Sequence, residues 1–300
     1  MFEKIIADAR KSPKIVAVAA AQDMPVLEAV FAALEQGIAI PLLVGDEAKI
    51  RTLASEIGID LTNITVINEL EPAKAALRAS RLVRDGQADF LMKGLLQTAE
   101  LLRAVLDKEN GLRSGSLLSH VGIFEANSYD RLLLLTDAAM VMYPDLKQKV
   151  ELIQNAVTVA RSMGVERPKV AGIAAVEVVN LNMPPTLDAA ILTQMNRRGQ
   201  IRDCLVDGPL QLDTAISAEA ARHKGIKGSE VAGHADILLA PNIETGNAIY
   251  KTINQMTSCQ IAALIIGASA PIVLTSRADS ARTKLLSIAC ASRLALYLKS

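Results

Sequence analysis

The stretch I-A-A-L-I-I-G-A-S-A-P-I-V-L (Ile261–Leu274) runs straight into T-S-R-A-D-S (Thr275–Ser280), and its reading decides the fold. A segment that apolar reads as buried strand in an open α/β sheet. Such sheets bind their ligands in the crevice outside the carboxyl ends of strands. Here that end carries Ser276, Arg277 and Asp279. An arginine offers a fixed fork of donors that suits carboxylate or phosphate. Placed next to a buried strand without an anion, it would be costly. The expectation is an anion site, for phosphate.

Outward from there, short apolar runs alternate with longer amphipathic ones almost throughout. Strands are expected at 15–21, 40–45, 64–68, 90–92, 132–136, 169–175, 203–206, 237–240, 262–267 and 272–275. Helices are expected at 25–36, 47–57, 72–85, 99–108, 147–163, 213–223, 247–256 and 280–298. This alternation implies an α/β protein with mostly parallel, doubly wound sheets. So many strands are too many for one compact sheet, so two lobes with a cleft between them are expected. The boundary is placed at Tyr143-Pro144, with a return near Gly267–Pro271. That puts residues 1–142 and 270–300 in a first lobe and 143–269 in a second, the expected dimerisation lobe.

Composition narrows the function. Of 300 residues, 51% are hydrophobic and 21% charged, which marks a globular chain. Thirty-two basic residues balance thirty-two acidic ones, so nothing favours wholesale binding to nucleic acid or an acidic membrane. With no Trp and 3% aromatics, base-stacking platforms are not expected either. The run Ile15–Ala21 is too short for a signal sequence and follows an amphipathic start at Phe2, Ile5, Ile6 and Ala9. No run reaches the ~20 apolar residues of a membrane span. Cys204, Cys259 and Cys290 form neither a disulfide framework nor a zinc pattern, and buried thiols are expected. A cytoplasmic protein is the expectation.

Three further polar motifs follow expected strands. In L-M-K-G-L-L-Q-T (Leu91–Thr98), Lys93 and Gly94 leave a strand and Thr98 opens a helix. A cation and free backbone N–H groups there would cradle phosphate; the plainer reading is a turn with a solvated Lys. In P-N-I-E-T-G-N-A-I-Y-K (Pro241–Lys251), Glu244, Gly246 and Asn247 lead into a helix carrying Lys251. Its first N–H groups would attract an anion or polarise a carbonyl, unless they serve capping alone. In D-G-P-L-Q-L-D (Asp207–Asp213), Gly208-Pro209 is expected to turn the backbone and Asp213 to cap a helix. Asp203 and Asp207 would lie ~13 Å apart on one strand, too far to share an ion. No metal site is expected. His120 lies near a strand end and is a further candidate; His223 and His234 read as solvated. Dinucleotide, Walker-type and nucleophile-elbow motifs are absent.

Taken in order, these strings resemble the phosphate acyltransferases that move an acyl group between coenzyme A and phosphate, nearest their butyryltransferase branch. L-V-G-D (Leu43–Asp46), L-M-K-G (Leu91–Gly94), G-L-R-S-G (Gly111–Gly115), S-H-V (Ser119–Val121) and T-D-A-A-M (Thr136–Met140) carry the first half. A-V-E-V-V-N (Ala175–Asn180), M-P-P-T-L-D-A (Met183–Ala189), R-G-Q-I (Arg198–Ile201), D-G-P-L, P-N-I-E-T-G-N and T-S-R-A-D-S complete it. The resemblance implies two α/β lobes like those of isocitrate and isopropylmalate dehydrogenases, assembled as homodimers or higher oligomers. It implies acyl-CoA and phosphate as substrates, a ternary complex, no metal and no tightly bound cofactor. Ser276 would hydrogen-bond the reacting thioester and Arg277 would hold phosphate. Arg103 falls near an arginine that contacts acyl phosphate in the acetyltransferases.

The chain departs from the family at Val141 and Val178, where Asn and Lys are usual, and at two base positions. Thr283 stands where the acetyltransferases carry Asp, and Arg282 where butyryltransferases carry Glu. On magnitudes, the missing base need not be fatal. A thiol of pKa about 8.5 is already a few per cent thiolate at pH 7, so a base recovers only ~1.5 powers of ten. Positioning two reactants supplies ~7 kcal/mol or more. The weight therefore falls on Ser276, Arg277, Lys93 and the Asn247 turn. Rival readings are a phosphate acetyltransferase, a ligand-sensing homologue without catalysis, and a metal-dependent hydroxyacid dehydrogenase.

Overall fold

The amphipathic start becomes α1 (Phe2–Arg10), with Phe2, Ile5, Ile6 and Ala9 buried as the spacing requires. Its neighbour in sequence, β1 (Lys14–Ala19), turns fully buried from Val16 onward. Then follow α2 (Met24–Glu35), β2 (Ala39–Gly45), α3 (Glu47–Glu56), β3 (Thr65–Asn68), α4 (Pro72–Arg84), β4 (Phe90–Lys93) and α5 (Thr98–Val105). Prolines in the first turns of α2 and α4 set their starts, since the missing N–H is an orphan there anyway. β1 pairs in parallel with β2 and β4, and β2 with β3. In this computed structural model residues 1–275 and 279–299 are described.

The chain divides into two compact units, Met1–Ser116 with Ala262–Ser300, and Leu117–Ile261. This moves the expected boundary from Tyr143-Pro144 back to Ser116-Leu117. The reason is a strand that the sequence did not reveal, β5 (Ser119–Glu125). It pairs antiparallel with β6 (Leu133–Thr136), and β6 pairs with a strand formed some hundred residues later, so both belong to the second unit.

The second unit continues with α6 (Leu146–Ser162), β7 (Lys169–Ile173), α7 (Pro184–Arg197), β8 (Leu205–Leu210), α8 (Leu212–Ile216), α9 (Ala218–His223), β9 (Ile237–Leu239) and α10 (Ile243–Met256). Its strands lie in the order β5-β6-β9-β7-β8, parallel except for the β5–β6 pair. Reciprocal capping between Asp145 and Gln148 starts α6. Three local expectations are corrected. Gly208-Pro209 lies inside β8 rather than at a turn, with a register shift opposite it. Helix 213–223 is broken at Ser217, whose extended backbone ends α8 and whose hydroxyl caps α9. Asp213 therefore sits within α8, and Gln211 is the cap position.

Completing the first unit, the decisive stretch forms an antiparallel pair, β10 (Gln260–Ile266) and β11 (Ile272–Val273), and α11 (Ala281–Tyr297) follows. The order is β3-β2-β1-β4-β11-β10, with β11 parallel to β4. α11 packs on α1 and α2, while α4 packs on α5 and across β1. Among the described residues no helix is long and apolar enough to cross a membrane. Cys204 and Cys290 are buried, which pushes the Cys204 thiol up to about 12 and raises that of Cys290. Cys259 is only partly buried, contrary to expectation.

Asp89 ties the start of β1 to the chain's last residues. Its Oδ2 accepts from the Ile15 amide at 2.8 Å and its Oδ1 meets Lys299 Nζ at 2.5 Å. Burial opposes ionisation, but Lys299 and the Ile15 amide outweigh it, so the carboxyl titrates below its ordinary 3.8. With a depressed folded pKa, the stabilisation is fully present above about pH 4 and is lost as pH falls through that pKa. Asp89→Asn is expected to lower stability at neutral pH and to leave it nearly unchanged near pH 2. Denaturant titrations at both pH values check this; equal losses at both would contradict it.

Candidate functional site

At the mouth of the first unit's sheet, Lys93 ends β4 and is 8% exposed. Its Nζ donates to the Gly94 carbonyl at 3.2 Å. A solvated surface lysine is thereby excluded. The free-amide cradle is corrected, however. The Gly94 amide donates to Ala19 O at 2.8 Å, Leu95 N to Ala20 O at 2.7 Å and Leu96 N to Gly94 O at 3.0 Å. Gln97 N is taken by Glu100 Oε2 at 2.9 Å. Gly94 serves close approach instead: a Cβ would stand 2.2 Å from Ala20 O and 2.6 Å from Ala19 O. The cation is presented by the lysine side chain, not by the backbone.

Thr98 opens α5 on the exposed side, and Arg103 lies in its last turn, also exposed. The two are at opposite ends of one helix, so α5 does not bring Arg103 to Thr98. Beyond β11, Thr275 is 6% exposed. Ser276 and Arg277, the residues on which the sequence reading put most weight, lie outside the described residues. Asp279 is partly buried, and Ser280 caps α11 by accepting from Thr283 N at 3.1 Å. The two departures near it have local partners. Arg282 pairs with Glu3 of α1 at 2.5 Å, and the Thr283 hydroxyl lies 3.0 Å from that of Ser280. Lys284, which the sequence reading passed over, is 3% exposed. It falls in helical register with the buried Ile288, Ala291 and Ala295, a spacing that marks an inward face.

In the second unit three of the quoted strings meet around Asp137, which is 2% exposed at the end of β6. Its Oδ2 accepts from His120 N at 2.8 Å, and its Oδ1 from Ala139 N and Met140 N, both at 2.7 Å. The Gly246 backbone packs so close that a Cβ would lie 2.1 Å from Asp137 O. Asn247 Nδ2 donates to Ala138 O at 3.1 Å. The buried His120 ring meets the Tyr250 ring edge-on at 5.4 Å, and Lys251 Nζ stands 5.7 Å over that same ring. Asp137 was visible only as part of T-D-A-A-M. A carboxylate one residue beyond a buried strand is the signal that could have found it.

The anion reading of α10's first turn is corrected as well. The helix starts at Ile243, four residues before the expected Asn247, because Asn242 caps it by accepting from Thr245 N at 3.0 Å. Ile243 N donates to Met142 O at 2.9 Å and Gly246 N to Asn242 O at 3.1 Å. The exposed Glu244 accepts from the Tyr143 hydroxyl, and this bond holds its carboxyl below the usual range. Capping is what these amides do. Asp207 does not join the group around Asp137. It lies on β8, the outermost strand, and its Oδ1 accepts from Gly208 N at 2.9 Å. Asp203 sits outside the strand and pairs with Arg161 at 3.1 Å.

The profile of the phosphate acetyl/butaryl transferase family matches residues 1–76 and 72–292. A phosphate butyryltransferase of Clostridium acetobutylicum is 55% identical over 295 residues, covering 98% of each chain. The crystal structure of a branched-chain phosphotransacylase from Enterococcus faecalis superposes with a TM-score of 0.83 at 32% identity, covering 94% of this chain and 99% of that one. A 4-hydroxythreonine-4-phosphate dehydrogenase from Klebsiella pneumoniae, with a TM-score of 0.56 at 13% identity over 95% of this chain and 100% of its own, shares the fold alone.

Proposed function

The chain belongs to the phosphate acetyl/butaryl transferase family, and on that premise we propose that Arg277 and Lys93 hold the phosphate of its reaction. It is an enzyme, a phosphate acyltransferase that moves a short-chain acyl group between coenzyme A and phosphate. A phosphate oxygen attacks the thioester carbonyl, the tetrahedral oxyanion collapses, and the C–S bond breaks to release CoA thiolate and acyl phosphate. In reverse, the thiolate attacks the acyl phosphate carbonyl and inorganic phosphate leaves. Coenzyme A is substrate and product rather than a resident cofactor.

In this reading Lys93, 8% exposed, supplies positive charge at the sheet mouth, and such charge stabilises most where water is excluded. Ser276 steadies the oxyanion. Asp279, Thr98 and Arg103 lie on the same unit and are assigned to phosphate or CoA contact. Gly246, Asn247 and His120 shape the turn after β6 through the Asp137 group. The partners found for Arg282 and Thr283 support a mechanism by positioning without a dedicated base. A homo-oligomer in the cytoplasm completes the proposal, in keeping with three free thiols.

The observation that carries this reading is the 55% identity to a phosphate butyryltransferase across both whole chains. Its test is phosphate-dependent release of free thiol from acetyl-, butyryl- and valeryl-CoA. Thiol release that requires phosphate, fastest with butyryl-CoA, is the expected result. A preference among these chains is bounded, since one methylene is worth only ~1–3 kcal/mol in an apolar pocket. No release with any of them would favour a ligand sensor, and nicotinamide-linked oxidation would favour a dehydrogenase.

A further inference from the structure

At the end of the β5–β6 pair where Phe124 stands opposite Leu133, the second unit holds a cavity of about 380 Å³. Leu133 opens β6, and Asp137 follows the other end of that strand, ~13 Å further along at ~3.3 Å per residue. The cavity is therefore separate from the Asp137 group. Phe124, Tyr129, Leu133, Ile216, Ile253 and Cys259 build its wall, and none of them is assigned to the reaction. Phe124 and Leu133 belong to the core; the other four pack against it while only partly buried. Two hydroxyls that could make the wall polar are spent on the backbone. Tyr129 Oη donates to Ala235 O and Thr257 Oγ1 to Ile253 O, both at 2.6 Å. Burial pushes the Tyr129 phenol up to about 12, so it is uncharged at neutral pH. Among the described residues no Asp, Glu, Lys, Arg or His lines the cavity. Arg131 lies 5.8 Å from the Tyr129 ring, but it pairs with Asp130 at 2.9 Å and is not part of the wall.

We propose that this cavity is a second ligand site, for a neutral aliphatic molecule ending in one hydroxyl. Its volume falls at the low end of the about 300–1,000 Å³ typical of small-molecule sites. An apolar wall offers water too few partners to hold it, whereas a neutral apolar molecule enters readily. Filling the cavity would remove the partly exposed Ile216 and Ile253 from water, which favours binding. The exposed Asn127, Ser128 and Ser258 would meet the hydroxyl. An anion there would lose its hydration with no cation to replace it, so coenzyme A, phosphate and acyl phosphate are unsuited to the site. The inference does not rest on the reading of Lys93, Ser276 and Arg277 as the phosphate site.

Cys259 reports on occupancy, because it is partly buried while Cys204 and Cys290 are buried with their thiols raised. The whole chain is treated with iodoacetamide, alone and with 1-octanol or octanoate, and the alkylated thiols are located by mass spectrometry. Cys259 is expected to react well before the other two. At about ten times its dissociation constant, 1-octanol should slow that reaction about tenfold, since only the unoccupied fraction reacts. Octanoate, of equal chain length but charged, should leave the rate nearly unchanged. 1-Octanol should also raise the thermal unfolding midpoint, because it binds the folded state. Ile253→Phe and Ile216→Phe each add bulk to the wall and should abolish that rise. Alkylation of Cys259 that 1-octanol leaves unchanged up to its solubility limit would overturn the inference, as would equal protection by octanoate. So would a Cys259 that resists iodoacetamide in the native protein, the sign of a face covered by another copy of the chain. A midpoint rise that persists in both variants would place the alcohol elsewhere and overturn it too.

Discussion

Arg277→Gln is expected to lower kcat/KM for phosphate by about 10²–10³-fold, the range seen when a single pre-set donor to developing charge is removed. Glutamine keeps one donor but loses the charge and the second prong of the fork, and charge-assisted bonds are roughly twice as strong as neutral ones. The apparent KM for phosphate should rise and kcat should fall, while the KM for acyl-CoA changes little. The melting curve should hold or rise, because residues set for ligand rather than for packing cost stability more often than they add it. Initial rates over a phosphate series, with circular dichroism melts in parallel, supply the numbers. Unchanged phosphate kinetics would place the anion site elsewhere, and Lys93 would become its principal cation.

The second large effect concerns Gly246. An added Cβ would lie 2.1 Å from Asp137 O, 3.0 Å from Asp137 C and 3.1 Å from Ala138 Cα. All three are backbone, so no side chain can swing away to relieve the clash. α10 would have to lift off the turn after β6, breaking Asn247 Nδ2 to Ala138 O and Ile243 N to Met142 O. Gly246→Ala is therefore expected to cost about 3 kcal/mol or more, at the upper end for overpacking. Urea titrations of the two proteins measure it. Activity should fall with stability, because the Asp137 group orders His120, Asn247 and Tyr250 together. An unshifted urea midpoint would show that the turn and the helix are less tightly joined than these distances indicate.

Much of the fold was legible because its strands are short apolar runs and its helices longer amphipathic ones, which length and flanking residues tell apart. β5 escaped because it opens with Ser119 and His120, polar residues that are nevertheless buried by pairing with Asn155 and Asp137. α7 escaped because Pro184-Pro185 reads as an interruption, although proline in a first turn is a start signal. Gly208-Pro209 misled in the opposite sense, since β8 passes through it.

The place of Lys93 at a strand end was legible, and the state of the amides beside it was not. Lys93 and Gly94 follow from a strand end, a local property. Whether the amides of Gly94 and Leu95 are free depends on Ala19 and Ala20, more than seventy residues away, and no local pattern carries that. Likewise, Asn242 rather than Asn247 starts α10, because a cap is decided by which side-chain oxygen reaches back to a free amide. Lys284 was legible in principle. Its register with Ile288, Ala291 and Ala295 shows an inward lysine, but a cation in a helix that late in the chain reads at first as solvated.

The central claim is that a guanidinium and a buried ammonium grip phosphate beside a thioester, and a crystal structure of the enzyme with phosphate and coenzyme A tests it most directly. The account predicts both Arg277 nitrogens of the fork within hydrogen-bond distance of phosphate oxygens, with Lys93 Nζ on the same anion and the coenzyme sulfur next to Ser276. Phosphate seated away from Arg277, with that side chain turned to solvent, would contradict it.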